Sequence, residues 1–418
     1  MSEERNQQSG FKPSLSLFDA IAVSVGAIIG AGIFIVTGIA AGLAGSALFI
    51  SMLIAAAIAL FTALSFAELT AWQPKEGSIY EYTYLLISPF AGFLTGWMWI
   101  LSNTFAGAAV SLGFAYYLTA ISPTLPPNLV AALLCTAFTM LNFLGIRQSA
   151  LINNILVAAK LLILAFFVIL GVRYINTTNF VPFTPFNVGV LYGAFYIFFA
   201  YGGFARVAVI AEEVKDAKRN VPKAILLSLG VSTLVYVLVG IVAVGLVGAS
   251  NLFASQSPLT EAIKITGDLA MIYAVSAGGL VATASVLLTS ILGVSRMAYA
   301  MGRRKDLPQA LSRLHSKFNT PYYSIWIFGI TMALLVLFAD ISKVVAISTF
   351  ALLFYYTLAN ISALRLKVQK LCPKFVSVLG ALTCIVLMLF IPLEAWIIGT
   401  VGLAVGVIVY WAKNNFTK

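Results

Sequence analysis

Residues 26–34 read GAIIGAGIF and residues 199–204 read FAYGGF. Both stretches lie inside long apolar runs, the first and the sixth along the chain. Gly26, Gly30 and Gly32 interrupt the first, and the adjacent Gly202 and Gly203 interrupt the sixth. Glycine weakens a helix interior and favours local unwinding. At membrane depth, unwound backbone is tolerated only where it lines a cavity or is buried in protein. Taken singly, such glycines also read as surfaces for close helix packing. As a matched pair, opening two successive five-run halves, they favour two broken helices around one binding site.

Working outward, the whole chain has the composition of a membrane protein. Of its 418 residues, 61% are hydrophobic and 9% charged, where a soluble domain carries about 25% charged residues. This excludes a soluble globular enzyme, a disordered tail protein and a nucleic-acid-binding module. At about 20 apolar residues per membrane helix, roughly a dozen spans fit. The runs fall at 16–41, 45–72, 88–120, 127–145, 150–172, 187–211, 222–249, 270–300, 321–339, 342–364, 375–391 and 393–412. The N-terminal segment is polar, carries two early acids and lacks the pattern of a signal peptide.

Charge placement predicts the orientation. With the N-terminus inside and the runs alternating, inner segments hold 19 Lys and Arg, and outer segments hold Arg173, Lys264 and Lys343. That asymmetry is the positive-inside pattern, and it accounts for the net charge of +11 by topology. An even number of spans puts both termini in the cytoplasm, in a multi-pass protein of the cell membrane. Cys135, Cys372 and Cys384 suggest neither a disulfide nor a metal site, and the single His315 reads as a loop residue.

A broken helix offers a definite chemistry. The backbone N–H groups opening its second half sit at a positive dipole end and suit a carboxylate. The carbonyls closing the first half suit an ammonium. A zwitterion therefore matches such a site without charged side chains.

At these residues the sequence resembles the amino acid–polyamine–organocation transporter superfamily. The first run has GAIIGAGIF, Gly26 to Phe34, and the second ends in ELTAWQPKEGSIYEY, Glu68 to Tyr82. The sixth has FFAYGGF, Phe198 to Phe204, and leads into EEVKDAKRNVPKAI, Glu212 to Ile225. The eighth ends SRMAYAMGRRKDLP, Ser295 to Pro308. The similarity covers essentially the whole chain. It implies an all-α polytopic membrane protein with a LeuT-type five-plus-five inverted repeat, about 12 transmembrane helices, and helices one and six discontinuous. The organisation would be a tail at 1–15, repeats at 16–172 and 187–364, and two peripheral helices at 375–412. The implied activity is secondary transport of amino acids or related amines by alternating access.

Carried over by position, the resemblance places the substrate carboxylate at Ile29, Gly30, Ala31 and Gly32. The ammonium falls at carbonyls around Phe199, Ala200 and Phe204, with Ile28 as a further acceptor. Gly203 belongs to the same break. Phe199, Tyr201 and Phe204 can line or lid an apolar pocket, and Asn103 on the third run can add a polar contact. Many relatives carry an acid after the sixth-run aromatic, whereas this chain has Ala205 and Arg206.

Lys160 sits mid-span in LVAAKLLILAFF. A charge there costs about 2.5–3.5 kcal/mol on insertion scales, so the default reading is functional. The alternatives are snorkelling, which the mid-span position disfavours, and a structural bond to a carbonyl. Relatives coupled to protons resemble the chain here. By that resemblance Lys160 replaces a sodium ion and donates to the Gly26 carbonyl and to Ser285 or Thr283. No acid occupies mid-membrane: Asp19, Glu68, Glu212 and Glu213 lie toward run ends. This leaves Lys160 as the proton carrier and argues against a cationic substrate, which would call for a counter-charge. Arg206 reads either as an inner gate paired with Glu68 or Glu212, or as a plain structural ion pair.

The expectation is a proton-coupled symporter of small to medium neutral L-amino acids, with the proton as coupling ion and no other cofactor. Its partners are the amino acid and the lipid bilayer, with no nucleic acid and no obligatory protein partner. An ion-independent exchanger is the nearest alternative, and a transporter-like amino acid sensor is one of another class. A channel lacks a filter sequence, and an enzyme lacks catalytic clusters.

Overall fold

A computed structural model describes residues 13–74, 79–122, 124–145, 150–367 and 371–416. The described residues are mainly α-helical, and their only β feature is an isolated bridge between Leu15 and Val214. In chain order the helices are α1 (Leu17–Ile28), α2 (Ala31–Ala44), α3 (Leu48–Trp72), α4 (Ile79–Leu86), α5 (Pro89–Ile121), α6 (Pro127–Phe143), α7 (Ala150–Gly171) and α8 (Gly189–Tyr201). There follow α9 (Arg206–Val209), α10 (Ala217–Ala254), α11 (Pro258–Ile263), α12 (Leu269–Arg303), α13 (Tyr322–Phe338), α14 (Ile341–Arg365), α15 (Lys374–Met388) and α16 (Leu393–Phe416).

Local sequence sets several starts. Ser16 and Asp19 form a capping box on α1: the Asp19 N–H donates to Ser16 Oγ at 3.2 Å, and the Ser16 N–H donates to Asp19 Oδ2 at 2.9 Å. Ser88 caps α5 ahead of Pro89, and Asp268 and Asp340 cap α12 and α14. Each side-chain oxygen satisfies backbone N–H groups that the helix itself leaves open.

Among the described residues, eight helical stretches are long and apolar enough to cross a membrane, and α6, α13 and α15 are shorter apolar helices. The first stretch, Leu17–Trp72, has 56 residues. At about 1.5 Å per residue it far exceeds a hydrocarbon core of about 30 Å. It is interrupted at Ile29–Gly30 and again at Gly45, whose φ of 62° only glycine adopts freely. The molecule is thus an all-α polytopic membrane protein, and each of the twelve apolar runs carries a helix.

Three details differ from the expectation. Helices α4 and α11 lie outside the twelve runs, because they are short and border turns. Helix α10 starts at Ala217 rather than at Pro222: the N–H groups of Arg219 and Asn220 bond to the Asp216 carbonyl at 3.0 and 2.9 Å, so the chain is helical before the proline. The third concerns the sixth run. Span one does open, at Ile29 (φ −78°, ψ 56°) and Gly30 (φ −100°, ψ −135°). Span six does not unwind at Gly202 and Gly203. It tightens into a 3-10 turn over Gly202–Ala205 and resumes as α9. The reason is packing. A Cβ on Gly203 would strike the backbone of Ala27 and Ile28, so the glycine serves close approach rather than unwinding.

Helices α1, α2, α8 and α9 form the centre, with α2 on α8 and with α3 and α10 against them. Helices α5, α12 and α14 enclose the opposite side, and α15 and α16 lie outside on α14.

Candidate functional site

The break between α1 and α2 decides the local chemistry. A helix end leaves its last carbonyls without intrahelical partners, and each must find a donor. The Val25 carbonyl takes the Ile29 N–H at 2.7 Å. The Gly26 carbonyl takes Lys160 Nζ, from α7, at 3.3 Å. The Ile28 carbonyl takes the Tyr236 hydroxyl, from α10, at 2.5 Å. A cation and a hydroxyl therefore complete the negative end of α1.

Lys160 is 2% exposed, while Leu162, two residues on, is 70% exposed. The lysine thus faces the protein and its neighbour faces outward. Its Nζ also donates to Ser285 Oγ at 2.9 Å, which ties α7 to α12. Thr283 is not brought to the lysine: its hydroxyl bonds its own helix, at the Gly279 and Leu280 carbonyls (2.7 and 3.0 Å). No ion pair among the described residues includes Lys160.

Across the break, the Ala31, Gly32 and Ile33 N–H groups open α2, where no side chain caps them. Gly32 lies directly against Ala200 of α8: an added Cβ would come within 2.5 Å of the Ala200 Cα. Tyr236 also lies 3.2 Å from the Ala200 carbonyl. Its single hydroxyl therefore spans both discontinuous segments. The Gly202 carbonyl accepts the Tyr356 hydroxyl at 2.8 Å, and the Phe199 carbonyl accepts the Gly202 N–H.

These segments border a cavity of about 70 Å³. Of the residues anticipated for substrate, Ile28, Ala31, Gly32, Asn103, Phe199, Ala200 and Gly203 line it. Ile29, Gly30, Tyr201 and Phe204 stand behind the wall. Tyr201 and Phe204 are fully buried, and Phe204 stacks on Tyr356 with ring centroids 5.1 Å apart. The far wall is Trp99, Ser102 and Asn103 of α5 with Ser348 and Leu352 of α14. Ser102 and Ser348 each donate to the other's carbonyl, at 2.9 and 2.8 Å. Arg206 is the one charged residue among the described residues of this lining.

A larger chamber of about 730 Å³ adjoins it, and Trp99, Arg206 and Val209 border both spaces. Arg206 donates to Ser290 Oγ at 3.1 Å. The ion pairs among the described residues do not join it to Glu68 or Glu212. Glu68 is buried on α3, and Glu212 sits in the turn after α9.

Sequence reading missed Tyr236, Trp99 and the Ser102–Ser348 pair. Tyr236 had a usable signal, since it is the one phenol in the apolar stretch VSTLVYVLVG. A buried tyrosine hydroxyl needs a partner.

Comparison with known proteins places nearly the whole chain among transporters. The family model described as amino acid permease matches residues 15–412. An uncharacterized transporter of Mycobacterium tuberculosis is 34% identical over 408 residues, covering 97% of this chain and 92% of the relative. A branched-chain amino acid permease of Bacillus subtilis is 32% identical over 439 residues, covering 98% and 94%. A cationic amino acid transporter of Mus musculus is 31% identical over 397 residues, covering 89% of this chain and 62% of the relative.

Proposed function

The chain belongs to the amino acid permease family, within the amino acid–polyamine–organocation superfamily, and from that premise we propose that it is a proton-coupled symporter of small to medium neutral L-amino acids. It is a transporter rather than an enzyme, embedded in the membrane by many apolar helices. The single observation that carries the proposal is the set of bonds at the α1 end. One buried hydroxyl holds the Ile28 and Ala200 carbonyls of the cavity wall, and one buried lysine holds the Gly26 carbonyl behind it.

The substrate carboxylate docks on the free N–H groups of Ala31 and Gly32, at the positive end of α2. Its ammonium takes the Ile28 and Ala200 carbonyls in place of, or beside, the Tyr236 hydroxyl. Its side chain points to α5 and α14. The described lining residues include no acid, which supports a neutral substrate, because a cationic side chain would go unpaired. The relative that is a branched-chain amino acid permease supports the same class.

Protonated Lys160 bonds Gly26 and Ser285, so it clamps α1, α7 and α12 together. An ammonium with no carboxylate beside it is costly to hold within the bilayer. When the site opens inward the lysine gives up its proton, the clamp loosens, and the five-plus-five core rocks. Both termini lie in the cytoplasm in this account, and the 730 Å³ chamber is the inner exit.

The test is uptake of labelled leucine and alanine into proteoliposomes without sodium, with and without an inward proton gradient. Accumulation above equilibrium only with the gradient is the expected result. Uptake indifferent to the gradient but dependent on internal amino acid would make the protein an exchanger.

A further inference from the structure

The chamber wall is strongly basic. Arg206, Arg296, Arg303 and Arg304 line it, with Glu81 as the one acid among the described lining residues. Arg304 is matched, since it pairs with Glu81 at 3.0 Å and lies over the Tyr84 ring at 4.1 Å. Arg303 lies over Tyr299 at 5.9 Å, and Arg206 donates only to the neutral Ser290. No described ion pair matches either of these two cations. Among the described residues, Arg206 is also the one charged residue that lines both the cavity and the chamber. Arg206 thus stands where the two spaces adjoin.

From this placement we propose that Arg206 is a specificity-determining residue: it forms, with Arg303 on the same chamber wall, an electrostatic barrier that rejects cationic side chains while passing zwitterions. The inference rests on the reading of the cavity as an amino acid site and adds the means of selection. A zwitterion feels little net force near a fixed cation, because attraction of its carboxylate offsets repulsion of its ammonium. A substrate with a second ammonium feels net repulsion, and in a narrow space with apolar walls that repulsion is poorly screened. Selection is then built by a repulsive element against the wrong substrate, not only by contacts to the right one. Because the charge sits at the passage, it acts on entry from the chamber as well as on residence in the cavity.

The experiment compares two competitors that differ by one amine, norleucine and lysine. Each is titrated against labelled leucine uptake into proteoliposomes, for wild type, Arg206→Gln, Arg206→Lys and Arg303→Gln. The readout is the ratio of the two half-inhibiting concentrations. Wild type favours norleucine by about tenfold or more, and Arg206→Gln narrows that ratio at least about fivefold, as expected on removing a like charge. Arg206→Lys keeps the wild-type ratio, which separates charge from shape. Arg303→Gln narrows it less, and it carries the test alone should Arg206→Gln fail to transport. Wild-type leucine uptake with a ratio unchanged in every transporting Gln variant overturns the inference and leaves the amino acid site standing. No uptake of leucine or alanine by wild type overturns both.

Discussion

At the scale of single residues, buried donors gather where one helix end needs them. Lys160 and Tyr236 come from different helices and meet neighbouring carbonyls of α1. Tyr236 also reaches Ala200, so its loss leaves a buried acceptor without its donor. Such a loss costs about 1–3 kcal/mol. Tyr236→Phe is therefore expected to lower the melting temperature measurably and to weaken apparent substrate affinity about tenfold. Thermal unfolding in detergent and the KM for uptake check both, and an unchanged KM would show that the hydroxyl only braces the fold. Lys160 was legible in the sequence because a charge in mid-span is conspicuous. Tyr236 was less plain: as the one phenol of its apolar stretch it called for a partner, but which carbonyls it serves is decided by tertiary packing. Tyr201 and Phe204 fell behind the cavity wall for a related reason: aromatic type says nothing about which face of a tight turn it occupies.

At the scale of elements, the two breaks are unlike. Gly30 opens span one into non-helical backbone, whereas Gly202 and Gly203 give span six a 3-10 turn. The glycine pattern marked both places and could not distinguish unwinding from close approach, since both need a missing side chain. Contact decides between them, and contact is tertiary. Gly203→Ala would press a methyl onto the backbone of Ala27 and Ile28, with no flexible side chain to yield. It is expected to abolish transport and to lower the melting temperature. Gly230, in α10, has nothing within 4 Å of a built Cβ. Gly230→Ala should keep full transport and gain about 0.5–1 kcal/mol of helix stability. Equal tolerance of both substitutions would show that span six does not press on span one.

At the scale of the whole molecule, the apolar runs foretold where helices lie, because hydrophobic length is dictated by the bilayer itself. All twelve runs carry helix. Short α4 and α11 escaped, since nothing in the bilayer sets their length. The layout puts a small cavity at the break, a large basic chamber beside it, and Lys160 tying α1 to α7 and α12. The central claim is that this lysine couples proton movement to transport. The most direct test places wild type and Lys160→Ala in proteoliposomes holding a pH-sensitive dye and follows labelled leucine and internal pH together, with an outward-acid gradient and no sodium. Wild type should accumulate leucine and acidify the lumen in step, while Lys160→Ala should at most exchange leucine across the membrane, with no accumulation and no acidification. Leucine-driven acidification that persists in Lys160→Ala would contradict the account and return the lysine to a structural strut.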